Sequence, residues 1–86
     1  MAVRKLNDNL NVISDNLRKY RKQKNMSQAG LVKDLQLLGI NMHKNDIYLI
    51  EANMRTVKDY ELWGFTEVLN ISFEDLTYGI EEKLSS

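Results

Sequence analysis

Apolar residues recur along this chain at helical spacing, and nowhere do they alternate as in a half-buried strand. Leu10, Ile13 and Leu17 fall at i, i+3 and i+7, and Tyr20 extends the stripe, so a first helix is predicted from about Leu10 to Lys24. Asn25 follows, a residue that tolerates the left-handed conformation and so can end a helix. Ser27 is a good N-cap for a second helix through Leu31, Leu35 and Leu38. Gly30 within it costs up to about 1 kcal/mol relative to alanine. Gly39-Ile40-Asn41 makes the next turn. A third helix begins near His43 or Lys44, with Ile47 and Ile50 on its apolar side, and closes at Asn53. After a basic connector from Met54 to Lys58, Thr56 or Asp59 caps a fourth helix carrying Leu62, Phe65 and Leu69 at i, i+3 and i+7. Asn70-Ile71 breaks it. Ser72-Phe73-Glu74-Asp75 has the form of a capping box, with Asp in place of Glu or Gln, and starts a short fifth helix. The predicted architecture is all-α, with Leu17, Leu31, Leu35, Ile47, Ile50, Leu62, Phe65 and Leu69 buried together. Residues 1–9 read as an N-terminal arm, 10–77 as the domain, and 78–86 as an acidic tail.

Length makes this a single domain: 86 residues bury only about 60–65 % of their unfolded surface, so good helices or dimerisation must supply stability. A hydrophobic content of 43 % is enough for a core. There is no Cys, hence no disulfide framework and no thiolate metal site. No apolar run approaches the roughly 20 residues of a membrane span, and the N-terminus lacks the apolar region of a signal peptide, so a cytoplasmic protein is expected. The formal charge is zero, but it is unevenly distributed. Residues 1–60 carry eleven Lys/Arg and six Asp/Glu; residues 61–86 carry one and six. Such asymmetry points to a nucleic-acid face in the first part, although the run Arg18, Lys19, Arg21, Lys22, Lys24 also fits a plain solvated helix.

Candidate chemistry gathers around the second and third helices. Gln28 sits in the first turn after Ser27, where a side-chain amide and free backbone N–H groups can meet a phosphate. Lys44 and Asn45 open the third helix. Lys can donate to guanine O6 and N7, and Asn can bind adenine bidentately. Tyr48 reaches either a base edge or the sugar-phosphate backbone, and Leu49 either a thymine methyl or the core. One helix on phosphate and another offering polar side chains is the arrangement of a helix-turn-helix DNA reader. Glu51 fits a structural pair, with Arg55 four residues on. His43, the lone His, fits a helix cap or a phosphate neighbour, and Met26, Met42 and Met54 fit core or connector positions. Tyr60 and Trp63 fit either core or a dimer surface. No enzyme constellation appears; Glu74 and Asp75, for example, are adjacent and do not face each other on a helix. Nothing points to a metal, a cofactor or a small-molecule ligand.

Taken in order, Ile13, Leu17, Arg18 and Arg21, then Ser27, Gln28 and Leu31, then Ile47, Ile50 and Glu51, then Arg55 with Leu62, Phe65 and Leu69, make a pattern. It resembles the phage-repressor-like helix-turn-helix family, the Cro/repressor or xenobiotic-response-element type, and Ile71 to Leu76 looks like that family's final helix. The chain departs from the family in having about five more residues between Leu35 and the third helix. It also carries Val32 for a usual Ala, Leu49 at a common base-reading place and Asn53 for a usual Gly. The resemblance implies a five-helix, lambda-repressor-like DNA-binding domain and a sequence-specific transcriptional regulator acting as a repressor. Its phosphate contacts would be Arg18, Ser27, Gln28, Lys44, Arg55 and Lys58. Base reading would fall to Lys44, Asn45, Tyr48 and Leu49. The partner would be double-stranded DNA, bound as a homodimer on a roughly palindromic site. Trp63, Tyr78, Ile80 and Leu84 of the acidic second half would supply the dimer contacts. The competing expectation is a protein-interaction module, such as an antitoxin-like partner-binding protein with weak DNA binding, favoured by the acidic second half and the zero net charge.

Overall fold

The computed structural model describes residues 8–84, and the side chains of residues 8–83. They form helices only: α1 (Ser14–Gln23), α2 (Gln28–Leu37), α3 (Lys44–Glu51), α4 (Asp59–Leu69), α5 (Phe73–Leu76) and α6 (Ile80–Leu84). Residues 1–7 of the expected arm, and the side chain of Leu84, lie outside the described residues. The expected acidic tail is in part a sixth helix. Its residues dock on the first helix: Lys83 Nζ stands 3.2 Å from Asp15 Oδ2. Asn16 Nδ2 donates to the carbonyls of Leu76 and Tyr78 at 2.9 and 2.8 Å.

The helix ends follow local chemistry. Asn25, Asn53 and Asn70 have φ of 53°, 59° and 54°, and Gly39 has φ of 86°. Each of these left-handed residues lets the next N–H fold back five residues. Met26 donates to Arg21 O, Ile40 to Leu35 O, Met54 to Leu49 O and Ile71 to Thr66 O, at 2.8–3.1 Å. Carbonyls that a helix end would leave unpaired are satisfied in this way. At the starts, Ser27 Oγ accepts from Gly30 N–H at 2.9 Å. Ser72 and Asp75 cap each other reciprocally at 2.9 and 3.1 Å. Neither Thr56 nor Asp59 caps α4. Lys58 holds the cap position, and Glu61 reaches back to its backbone N–H at 2.9 Å.

The first helix starts at Ser14 rather than Leu10, for a long-range reason. Leu10 and Asn11 donate their backbone N–H groups to Asn53 Oδ1 at 3.0 and 3.1 Å. The buried Asn11 amide in turn donates to the carbonyls of Ile50 and Arg55 at 3.0 and 2.9 Å. The lead-in is thus fastened to the C-terminal end of α3 and cannot wind into α1.

The core gathers Ile13, Leu17, Leu31, Leu35, Ile47, Ile50, Phe65, Leu69 and Leu76, together with Ile40 and Met42 from the turn between α2 and α3. Seven of the eight expected core residues are fully buried; Leu62 is only half-buried and packs at the margin. The α2–α3 turn is therefore longer than a tight one but anchored at two points. Gly64 makes room for it: a Cβ there would stand 2.9 Å from Leu35 Cδ2 and closer still to Ile40 Cδ1. Any side chain at that point of α4 would push the turn outwards.

Candidate nucleic-acid interface

The C-terminal half of α1, the first turn of α2 and the last turns of α3 meet around an open cleft of about 290 Å³. Arg18 and Lys22, one helical turn apart, supply its cations; Gln28 and the half-exposed Tyr48 also line it. Beneath them lies an ion pair. Arg21 donates to Glu51 through Nε at 2.7 Å and through Nη2 at 2.9 Å, and its Nη1 donates to Met26 O at 2.7 Å. The two side chains keep only 9 % and 5 % of their surface exposed. The hydrogen bonds that Arg21 donates to Glu51 raise the Arg21 pKa above its ordinary value, against the desolvation that would lower it. This bidentate pair ties α1 to α3 across 30 positions of sequence.

Glu51 also accepts from Gln28 Nε2 at 3.2 Å. The amide of Gln28 is thereby oriented, and its second N–H and its carbonyl remain for a partner in the cleft. Ser27 has its oxygen engaged in capping, while its hydroxyl proton stays available to donate. Lys44 and Asn45 are exposed at the first turn of α3, so Ser27, Gln28, Arg18, Lys44, Asn45 and Tyr48 all lie on accessible surface of α1, α2 and α3. His43 precedes α3, and its backbone N–H donates to Asp46 at 2.9 Å. Leu49 is half-buried and stands outside the core cluster.

Two expected phosphate contacts are placed elsewhere. Arg55 is turned inwards, donating to both carboxylate oxygens of Glu61 at 2.9 and 3.0 Å, with Asp46 3.5 Å from its Nε. Its pKa is raised, first by the hydrogen bonds it donates to Glu61. Burial pushes the Glu61 carboxyl up, but hydrogen bonds from Arg55 and from the Lys58 backbone outweigh it, and the net shift is downward. The expected Glu51–Arg55 pair does not form; each residue has taken a different partner. Lys58 is exposed at the start of α4, with Nζ 5.8 Å from the centre of the Tyr60 ring. Tyr60 and Trp63 are themselves half-exposed, so neither is core.

The role of Lys22 was legible only as part of a basic run; its spacing of four from Arg18 is the signal that picks it out. The run itself divides, since Arg21 is buried within the fold while Arg18, Lys19, Lys22 and Lys24 are exposed. Among the described residues, no helix is long and apolar enough to cross a membrane, and no group of three or more His, Asp or Glu could hold a metal ion. Comparison of the chain with protein-family models, with curated proteins and with solved structures finds no match.

Proposed function

We propose that this chain is a sequence-selective, double-stranded-DNA-binding regulator of transcription, working in the cytoplasm as a homodimer of lambda-repressor-like domains. The observation that carries this reading is the cleft itself: Arg18, Lys22, Gln28 and Tyr48 line it together with an ion pair that already satisfies its own charges. The exposed cations are therefore free to meet phosphate. Arg18, Lys22, Ser27 and Gln28 hold the DNA backbone, and Lys44, Asn45 and Tyr48 at the start and outer side of α3 reach base edges.

A mobility-shift titration at two salt concentrations tests it. Binding that weakens steeply with salt, with a slope of about −0.9 per phosphate contact, is expected. Affinity that is absent or insensitive to salt sinks the proposal. The half-exposed Trp63 and the 79 %-exposed Tyr78 of the acidic second half, with the half-exposed Tyr60 beside them in sequence, favour the competing reading of a protein-interaction module. A chain that ignores DNA yet binds a protein through these aromatics supports that alternative.

A further inference from the structure

A second recess, of about 550 Å³, lies beside the connector that follows α3. Its walls are apolar and come from distant parts of the chain: Leu10 and Val12 from the lead-in, Val57 from the connector, Leu62 from α4, Phe73 from α5 and Ile80 from α6. Phe73 keeps 56 % of its surface exposed at the first position of α5. Lys58 and Asp59, both exposed and successive in sequence, stand at the same recess.

We infer that a second copy of this chain occupies the recess, related by a two-fold axis passing beside Lys58 and Asp59, so that the Phe73 ring of each copy enters the recess of the other. An isologous interface must be self-complementary, and this surface carries both the protruding ring and the apolar hollow. Charge decides the occupant. A uniformly basic partner meets Lys58 as a like charge, and a uniformly acidic one meets Asp59. A two-fold copy sets Lys58 of each chain against Asp59 of the other and makes both contacts attractive. The exposed acids Glu74, Glu81 and Glu82 are not part of the lining and lie at the edge of such an interface. Thr56 and Val57, in the connector that follows α3, line the recess, and the same two-fold axis relates the two copies of α3, as a palindromic site requires. That last consequence rests on the DNA reading; the surface itself does not.

Sedimentation without DNA tests the surface. The mean mass of the wild-type chain should climb with concentration towards twice the monomer mass, standing at about one and a half times it near 1 mM, where a dimer of millimolar Kd is half-formed. Phe73→Glu should weaken the dimer roughly 100-fold while the helical circular dichroism is unchanged, because an acid in the first turn of a helix is well tolerated. Lys58→Glu should also weaken it, and the double variant Lys58→Glu/Asp59→Lys should restore it. A wild-type monomer at every concentration, which would leave the recess to a different protein, overturns the inference. So does a dimer indifferent to Phe73→Glu, or a double variant as weak as the single one. A dimer that forms as described but fails to shift DNA leaves this surface standing and overturns the proposed function.

Discussion

Two bidentate arginine–carboxylate pairs divide this molecule. Arg21 and Glu51 join α1 to α3 across 30 positions, under an open cationic cleft. Arg55 and Glu61 lie six positions apart and bind the connector to the first turn of α4. The chemistry is the same and the consequence is not. The first pair neutralises two buried charges and orients Gln28 through the shared Glu51 carboxylate. The second withdraws a cation from the surface and builds a helix start. Total charge is thus a poor guide to a face; what counts is which cations the fold leaves unpaired.

Stability should separate the pairs most strongly. Arg21→Met leaves the Glu51 carboxylate buried without its cation and should cost about 3–5 kcal/mol in urea unfolding. Arg55→Met should cost less, about 1–3 kcal/mol, because the Arg55 side chain is 23 % exposed and Glu61 keeps the Lys58 backbone N–H. A larger loss at Arg55 than at Arg21 would reverse the comparison.

DNA affinity should separate the faces next. Asn45→Ala should lose about 1–3 kcal/mol on a preferred site and relax the choice at one base pair, read from binding to a panel of single-base variants. An unchanged preference moves base reading to the longer α2–α3 turn, with Asn41 the first candidate. The salt slope gives a smaller but sharper contrast. Arg18→Ala or Lys22→Ala should each reduce it by about one unit for every sequence, while Arg55→Ala in the still-folded protein should leave it unchanged. A reduced slope at Arg55 would show that its guanidinium leaves Glu61 to meet phosphate.

Acid titration should give the smallest effect. The folded pKa of Glu61 is lowered, so its contribution to stability is complete above the unfolded carboxylate value of 4.5 and is lost as pH falls through the lower folded value. Unfolding free energies measured across that range should fall with acidification, and Glu61→Gln should make the fall shallower. Equal slopes for the wild-type and Glu61→Gln proteins would mean that other carboxylates carry the acid sensitivity.

Most of the helical architecture was readable from the chain because it depends on neighbours. Periodic leucines and isoleucines marked four helices, Asn25 and Asn53 marked left-handed ends that formed where expected, and the break expected at Asn70 is left-handed as well. Ser72 and Asp75 announced their reciprocal cap. The sixth helix was missed, since five residues after Gly79 offer too short a period to read. In the candidate site, Lys44, Asn45 and Tyr48 are exposed on α3 as the pattern implied.

Partner choice was not readable, and the reason is geometric. Glu51 and Arg55 have the i, i+4 spacing of a helical ion pair. That spacing holds only while the helix continues, and α3 ends at Glu51 because Asn53 turns left-handed. Past that turn Arg55 faces Glu61, and Glu51 is left for an arginine on another helix. Asn11 likewise looked like the first turn of α1, until the carbonyls of Ile50 and Arg55 drew its amide away. Where helices run and how they end is set locally, since those interactions span at most about five residues. Tertiary structure alone decided which charges cancel and which stay exposed, because several partners lie within reach of each long side chain and only the packed arrangement of helices selects one.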